Sequence, residues 1–118
     1  MYIDKDEYFI VKSDLAEVID MVFKRREITI SNIARLYGDE VCGSRDDEEN
    51  TILVIMFYYL IWKKIGKLSA CMIQEVKKET NEILLKNKKI SRLNEEEFKD
   101  FMILVRELNN SDINVLID

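Results

Sequence analysis

The hydrophobic pattern of the chain is dominated by one unbroken apolar run at residues 51–62, TILVIMFYYLIW. A helix drawn through this run is apolar or aromatic on every face, so other parts of the chain must surround it. Four acidic residues at 46–49 precede the run and lysines follow it, an arrangement that complements the dipole of a helix. Gly66 can end that helix in a left-handed C-cap. We therefore predict a buried central helix at 46–65.

Apolar residues at helical spacing indicate two amphipathic helices before the central one. The first is predicted at 14–26, with Ser13 as its N-cap. The second starts at a cap formed by Thr29 or Ser31, and it ends near 38–41. Both helices have one apolar face, which we expect to lie against the central helix.

The last helix has the best-defined start in the sequence. Asn94 is a favourable N-cap, and Glu97 stands three residues later, where it completes a reciprocal capping box. Two short apolar segments flank the helices. The segment at 2–11 fits a strand-like arm or a first helical turn. The segment at 111–116 fits a final turn that folds back onto the domain or remains as an apolar tail.

Residues 71–86 have two interpretations. The first is a helix at about 69–87, in which apolar residues recur at helical spacing between good helix formers. The second is a β-hairpin with its turn at 77–81. We prefer the helix, because that turn has no glycine and only Asn81 is a common turn residue.

The fold class follows from these elements and from the turn residues that are missing. The chain has no proline and only three glycines, whereas an all-β chain needs a turn signal about every 8 to 12 residues. We predict an all-α fold, a single compact domain over 1–118 of about five helices around the buried central helix. The alternative is a winged helix with a β-hairpin at about 71–86.

Composition places the chain with globular proteins. It is 47% hydrophobic and 35% charged with a net charge of −5, which differs from the low hydrophobicity of disordered chains. The central run is shorter than the roughly 20 apolar residues that cross a bilayer, and the N-terminus lacks a signal-peptide pattern. We therefore expect a cytoplasmic protein with no membrane partner, in which Cys42 and Cys71 are reduced.

The residue inventory excludes several kinds of chemistry. The chain has no histidine, which removes the commonest general base and metal ligand, and two cysteines cannot form a four-ligand zinc site alone. The phosphate-binding patterns GxxxxGK[ST] and GxGxxG are missing. We therefore expect a protein that is not an enzyme, binds no metal and uses no cofactor.

The stretch ITISNIARLYG at residues 28–38 resembles the first helix of helix-turn-helix domains. Ala34 and Gly38 occupy the small-residue positions where such a helix meets its partner closely. The order of helix, Ile-Thr-Ile, helix, loop and long helix also resembles the front of a winged helix. This resemblance implies a DNA-binding transcriptional regulator whose basic side chains contact phosphates. The candidate phosphate contacts are Lys24, Arg25, Arg26, Lys88, Lys89 and Arg92.

The helix that would read DNA departs from the helix-turn-helix pattern. It begins with the acidic residues 46–49 and then becomes wholly apolar, whereas base-reading helices carry basic or amide side chains. DNA phosphates repel such an acidic end, and the sequence pI of about 4.9 also disfavours binding to DNA. Nucleic acid is therefore a disfavoured partner, and the DNA-binding regulator is the alternative function.

The same segment also resembles the BH3 helix of Bcl-2-type apoptosis regulators, in which spaced apolar residues precede Gly-Asp. Ile30, Ala34 and Tyr37 have that spacing, and Gly38 and Asp39 follow them. The resemblance implies an interaction protein that uses helix-in-groove recognition. The family places a large leucine where this chain has alanine, and an ordinary core helix explains the same residues. This is the second alternative function.

The leading hypothesis is a non-enzymatic regulatory or adaptor protein that acts through protein–protein interaction. Its support is a surplus of large apolar residues over what one small core can bury. A homodimer or a hydrophobic groove for another protein would use this surplus. The candidate partner-binding residues are Ile30, Ala34, Tyr37, Asp39, Tyr58, Tyr59 and Trp62.

Overall fold

The structure is a computed structural model that describes residues 7–43, 46–86 and 90–118. Within these ranges the chain forms five helices and one pair of two-residue strands. In chain order the elements are α1 Tyr8–Arg25, α2 Ile30–Glu40, α3 Asp47–Ile65, β1 Lys67–Leu68, α4 Ala70–Lys86, α5 Glu95–Asn110 and β2 Asn114–Val115. The radius of gyration of 13.6 Å fits a compact domain of this length. The predicted all-α fold is confirmed.

Helix α3 is the centre of the molecule, as predicted. Residues 51–58 are all buried, and α3 packs against α1, α4, α5 and β1. The Asp46 side chain caps its start by accepting a hydrogen bond from the Glu49 backbone at 2.8 Å. Gly66 ends the helix with φ at 76°, a left-handed conformation that glycine adopts without strain. Both predicted ends of the central helix are therefore confirmed.

Residues 70–86 form the continuous helix α4, so the winged-helix alternative with its hairpin at 71–86 is wrong. Met72, Val76, Thr80 and Ile83 are buried and recur every three or four residues, which is the spacing of one helix face. The buried Thr80 hydroxyl donates to the Val76 carbonyl at 2.8 Å. Amphipathic spacing, together with the lack of turn residues, explains why the helix forms.

Helix α1 begins earlier than predicted. It starts at Tyr8, and the predicted N-cap Ser13 lies exposed inside the helix. Tertiary burial extends the helix, because Tyr8 and Val11 are buried in the core. Of the two interpretations of residues 2–11, the strand-like arm is wrong and the first helical turn is confirmed from residue 8 onward. Residues 2–6 lie outside the described residues.

One buried carboxylate joins the N-termini of α1 and α5. Glu97 is 1% exposed, and its Oε1 accepts from the Asn94 backbone at 2.9 Å. The Asn94 side chain in turn accepts from the Glu97 backbone at 2.9 Å, which confirms the predicted capping box. The second oxygen, Oε2, accepts from the Tyr8 backbone at 3.2 Å. Glu97 therefore caps two helices, and its charge lies at the positive ends of both dipoles.

The C-terminal segment pairs with the residues that follow α3. Strands β1 and β2 run parallel, and the Leu116 backbone donates to the Leu68 carbonyl at 2.7 Å. The C-terminal segment therefore folds back, which is one of the two expected outcomes, but it forms a strand where a turn was predicted. The sequence pattern does not indicate this strand because its partner is remote in sequence. The Lys77 ammonium donates to three carbonyls at the end of α5, those of Leu108, Asn109 and Ser111, at 2.6–2.9 Å. Burial lowers the pKa of Lys77.

Across the described ranges, the helices lack the combined length and apolarity that crossing a bilayer requires.

The double cap at Glu97 predicts a large effect on stability. In Glu97→Ala two backbone N–H groups lose their acceptor, so we expect the free energy of unfolding to fall by about 2–4 kcal/mol. Urea unfolding followed by circular dichroism measures this change. Glu96→Ala, at an exposed position in the same turn, is the matched control and should cost no more than about 0.5 kcal/mol. Equal losses in the two variants would contradict the role of Glu97.

Candidate functional site

A cleft of about 200 Å³ opens between α1 and α2. Its apolar floor contains Val22, which is half-buried, and Leu36, which is buried. Met21 lies at its edge with about half of its surface exposed. The polar side chains that line it are Arg25, Arg26, Asn32, Arg35 and Asp39.

The turn between the two helices positions this cleft. The Thr29 hydroxyl accepts from the Asn32 backbone at 3.1 Å, so the predicted cap of α2 at Thr29 is confirmed. The Asn32 side chain donates to the Glu27 carbonyl at 2.8 Å and closes the turn. Helix α2 then anchors itself through buried Ile33 and Leu36, which leaves its polar residues facing α1 and solvent.

The charge of the cleft differs from that of the whole chain. Arg25, Arg26 and Arg35 are exposed, and none forms an ion pair with another described residue. Several basic residues elsewhere are paired: Lys12 with Asp100 at 2.9 Å, Lys64 with Asp20 at 2.7 Å, Lys63 with Glu107 and Arg92 with Asp46. A protein of net charge −5 thus carries three unpaired guanidinium groups around one cleft.

These side chains suit a ligand that carries carboxylates beside an apolar group. A guanidinium binds a carboxylate through two parallel hydrogen bonds, and it remains charged at every physiological pH. The floor formed by Val22 and Leu36 has no polar side chain, so it favours a hydrocarbon group. Among the described residues, no group of three or more cysteine, aspartate or glutamate side chains could hold a metal ion.

Two of the predicted partner-binding residues, Tyr37 and Tyr58, form a stacked pair that joins three helices. Their ring centroids lie 5.5 Å apart with the planes 8° from parallel. Both hydroxyls donate to Glu75 on α4, at 3.4 Å from Tyr37 and 2.9 Å from Tyr58. Tyr58 is only 4% exposed, so little of it can contact a partner. The stacked rings and their hydrogen bonds to Glu75 hold α2 and α4 against α3.

Tyr59 and Trp62 lie half-buried in the C-terminal half of α3, where Tyr59 faces α5. The Tyr59 hydroxyl donates to Glu107 on α5 at 3.0 Å, and Lys63 bonds to the same carboxylate. The Lys63 ammonium also lies 4.8 Å from the Trp62 ring centroid, within range of a cation–π interaction. The hydrogen bond from Lys63 lowers the pKa of Glu107. These residues tie α3 to α5, and the structure does not bring them to the α1–α2 cleft.

The remaining predicted partner-binding residues lie on α2. Ala34 and Asp39 are exposed, Ile30 is half-buried, and only Asp39 lines the cleft. Gly38 is also exposed, and a Cβ added there would meet no atom within 4 Å. The close helix contact that the helix-turn-helix resemblance implies at this position is therefore missing from the described structure.

The predicted phosphate contacts fall in separate surroundings. Residues 24–26 occupy the end of α1, where Arg25 and Arg26 line the cleft. Arg92 bonds to Asp46 at the start of α3. Lys88 and Lys89 lie outside the described residues. Of the described members of the predicted basic set, the cleft therefore brings together Arg25 and Arg26, and Arg35 joins them.

Sequence reasoning missed Arg35 and Met21 as cleft residues. A usable signal was present, because basic residues stand on both sides of the short connection between α1 and α2. Helical periodicity identifies the buried face of each helix, but it does not say which exposed residues of two helices become neighbours. That information depends on how both helices pack on α3.

The chain matches no protein-family model, and no curated protein or solved structure matches it.

The tyrosine contacts predict a loss of stability at alkaline pH. Burial, followed by the charge of Glu75, raises the pKa of Tyr37 to about 12, and burial and the Glu107 hydrogen bond raise the pKa of Tyr59 to about 12. Because the folded pKa exceeds the unfolded value of 10.0, this stabilisation is complete below that pH and is lost as the pH rises toward 12.

Urea unfolding at a series of pH values tests this expectation. The free energy of unfolding of the wild type should fall between pH 10 and about 12, and a Tyr37→Phe/Tyr59→Phe variant should lose less over the same range. Lysine titration affects both proteins alike, so the difference between them isolates the two hydroxyls. An equal fall in both proteins would contradict the prediction.

Proposed function

We propose that the protein is a non-enzymatic regulatory or adaptor protein that acts by binding a protein partner at the α1–α2 cleft. The observation that carries the proposal is a set of three guanidinium groups around an apolar floor, none of them paired with a described residue, on a protein whose net charge is −5. Partner carboxylates would pair with Arg25, Arg26 and Arg35 while an apolar side chain of the partner covers Val22 and Leu36.

The DNA-binding alternative has less support from the same surface. Of the described residues predicted to contact phosphates, only Arg25 and Arg26 line the cleft, and Arg92 is already paired with Asp46. A phosphate backbone also has no apolar group that could cover Val22 and Leu36. Met21 and Ile28, which are 49% and 42% exposed near the end of α1, add apolar surface that a protein partner would cover.

Reversal of the cleft charge tests the proposal. A tagged Arg25→Glu/Arg35→Glu variant should recover at least about tenfold less of a specific partner from cell extract than the wild type, because two attractive charge pairs become repulsive. Quantitative mass spectrometry of the recovered proteins measures the ratio. Lys78→Glu/Arg106→Glu, at exposed positions on α4 and α5, has the same net charge and is the matched control.

Two outcomes would contradict this function. The first is recovery of the same proteins in the same amounts by the wild type and by both variants. The second is tight binding of random duplex DNA at low salt that Arg25→Glu/Arg35→Glu abolishes, which would favour the DNA-binding regulator. Circular dichroism of each variant establishes that the fold is retained.

A further inference from the structure

The solvent face of α1 carries a stripe whose charges change sign along the helix. Ile10, Asp14, Glu17, Met21 and Arg25 span about 80° of the helix circumference at 3.6 residues per turn. All five are exposed, and the two apolar members, Ile10 and Met21, are 60% and 49% exposed. The stripe thus runs from apolar through acidic to apolar and basic.

The acidic members of this stripe, like the arginines of the cleft, form no ion pair with a described residue. Within the described part of the chain, Asp14 and Glu17 make no ion pair and no side-chain hydrogen bond. Two carboxylates nearby do have partners, since Asp20 pairs with Lys64 and Asp100 pairs with Lys12. One helix therefore presents unpaired charges of both signs to solvent.

The spacing of these charges is symmetric about Met21. Glu17 and Arg25 each lie four residues from Met21, which is about 6 Å along the axis in opposite directions. If a second α1 lies antiparallel across the first at Met21, each Glu17 faces the Arg25 of the other copy. A parallel arrangement would instead place like charges together, so the charges select the antiparallel one.

We propose that the partner of the cleft is a second copy of this chain, with the two α1 helices antiparallel around a two-fold axis at Met21. The acidic half of each α1 then lies along the arginine-lined cleft of the other copy, where Arg35 extends the basic surface that Asp14 and Glu17 meet. Such an interface is isologous, so one surface supplies both halves of the contact. This proposal rests on the proposed function and names the protein that binds.

We expect the fraction of dimer to rise with protein concentration and to fall with salt concentration. One helix face and the edge of a cleft bury less than the roughly 1,200–2,000 Å² of stable interfaces, so the dimer should dissociate on dilution. Its exposed charge pairs are screened as salt rises, because the Debye length falls from about 10 Å at 0.1 M to about 3 Å at 1 M. Analytical ultracentrifugation over a range of protein concentrations measures both dependences.

Charge exchange between copies gives the sharpest test. Glu17→Arg and Arg25→Glu should each weaken self-association by about tenfold or more, because each variant places like charges across the two-fold axis. A mixture of the two variants should associate at least as well as the wild type, since each copy then offers the opposite charge at both positions. Both positions are exposed on α1, and circular dichroism establishes that each variant folds.

Cross-linking tests the position of the axis. In a Cys42→Ser/Cys71→Ser background, which removes the two exposed free thiols, Met21→Cys should form a covalent dimer under mild oxidation. Helices packed about 8–10 Å apart bring facing Cα atoms on the axis within the 4.4–6.8 Å or so that a disulfide needs. Leu85→Cys, at the most exposed large apolar residue of α4, is the control and should cross-link far more slowly.

The outcomes separate this proposal from the proposed function. A protein that stays monomeric at high concentration, or a mixture of the charge variants that fails to associate, would overturn the second copy as the partner. If Arg25→Glu/Arg35→Glu then still loses a different protein from cell extract, the proposed function stands without the dimer. If neither self-association nor capture responds to the cleft charges, both proposals fail.

Discussion

Enclosure of α3 is the constraint on which the rest of the structure depends. Residues 51–58 are buried on every side, so no side of that stretch can be left without a neighbour. Each large apolar side chain removed from water contributes about 1.5–3 kcal/mol, and α3 supplies more buried side chains to the core than any other helix. Helices α1, α4 and α5 and strand β1 lie against it, and α2 reaches it through the contact of Tyr37 with Phe57. The exposed faces of these helices are thereby fixed as well.

Much of this architecture is readable from the sequence because its signals are local. The central run, the Asp46 and Gly66 caps and the Asn94–Glu97 capping box lie within a few residues of the groups that they stabilise. The errors occur where distant residues decide the local structure. Tyr8 starts α1 because it is buried beside Glu97, and Asn114–Val115 is a strand because Lys67–Leu68 lies beside it. Helical periodicity gives no information about either of these two contacts.

The candidate site, like the fold, could be predicted from the sequence only in part. The sequence identifies a basic cluster at 24–26, but the contribution of Arg35 appears only when α1 and α2 are placed side by side. The aromatic residues predicted for partner binding also make contacts within the molecule, where the hydroxyls of Tyr37, Tyr58 and Tyr59 donate to carboxylates on neighbouring helices. An aromatic side chain in a sequence does not reveal whether its polar atom faces a partner or the interior.

The shared cap at Glu97 also has a consequence for the order of folding. Asn94 and Glu97 can form their part of the network as soon as α5 nucleates, but the Tyr8 backbone joins only after a loop of 89 residues has closed. We therefore expect α1 to dock late and to detach before α3 and α5, as a cooperative unit of lower stability than those two helices. Native-state hydrogen exchange would then show faster opening of amides in α1 than in α3, and equal opening rates would count against this order. The helix that carries the exposed charges would thus open before the central helix on which it packs.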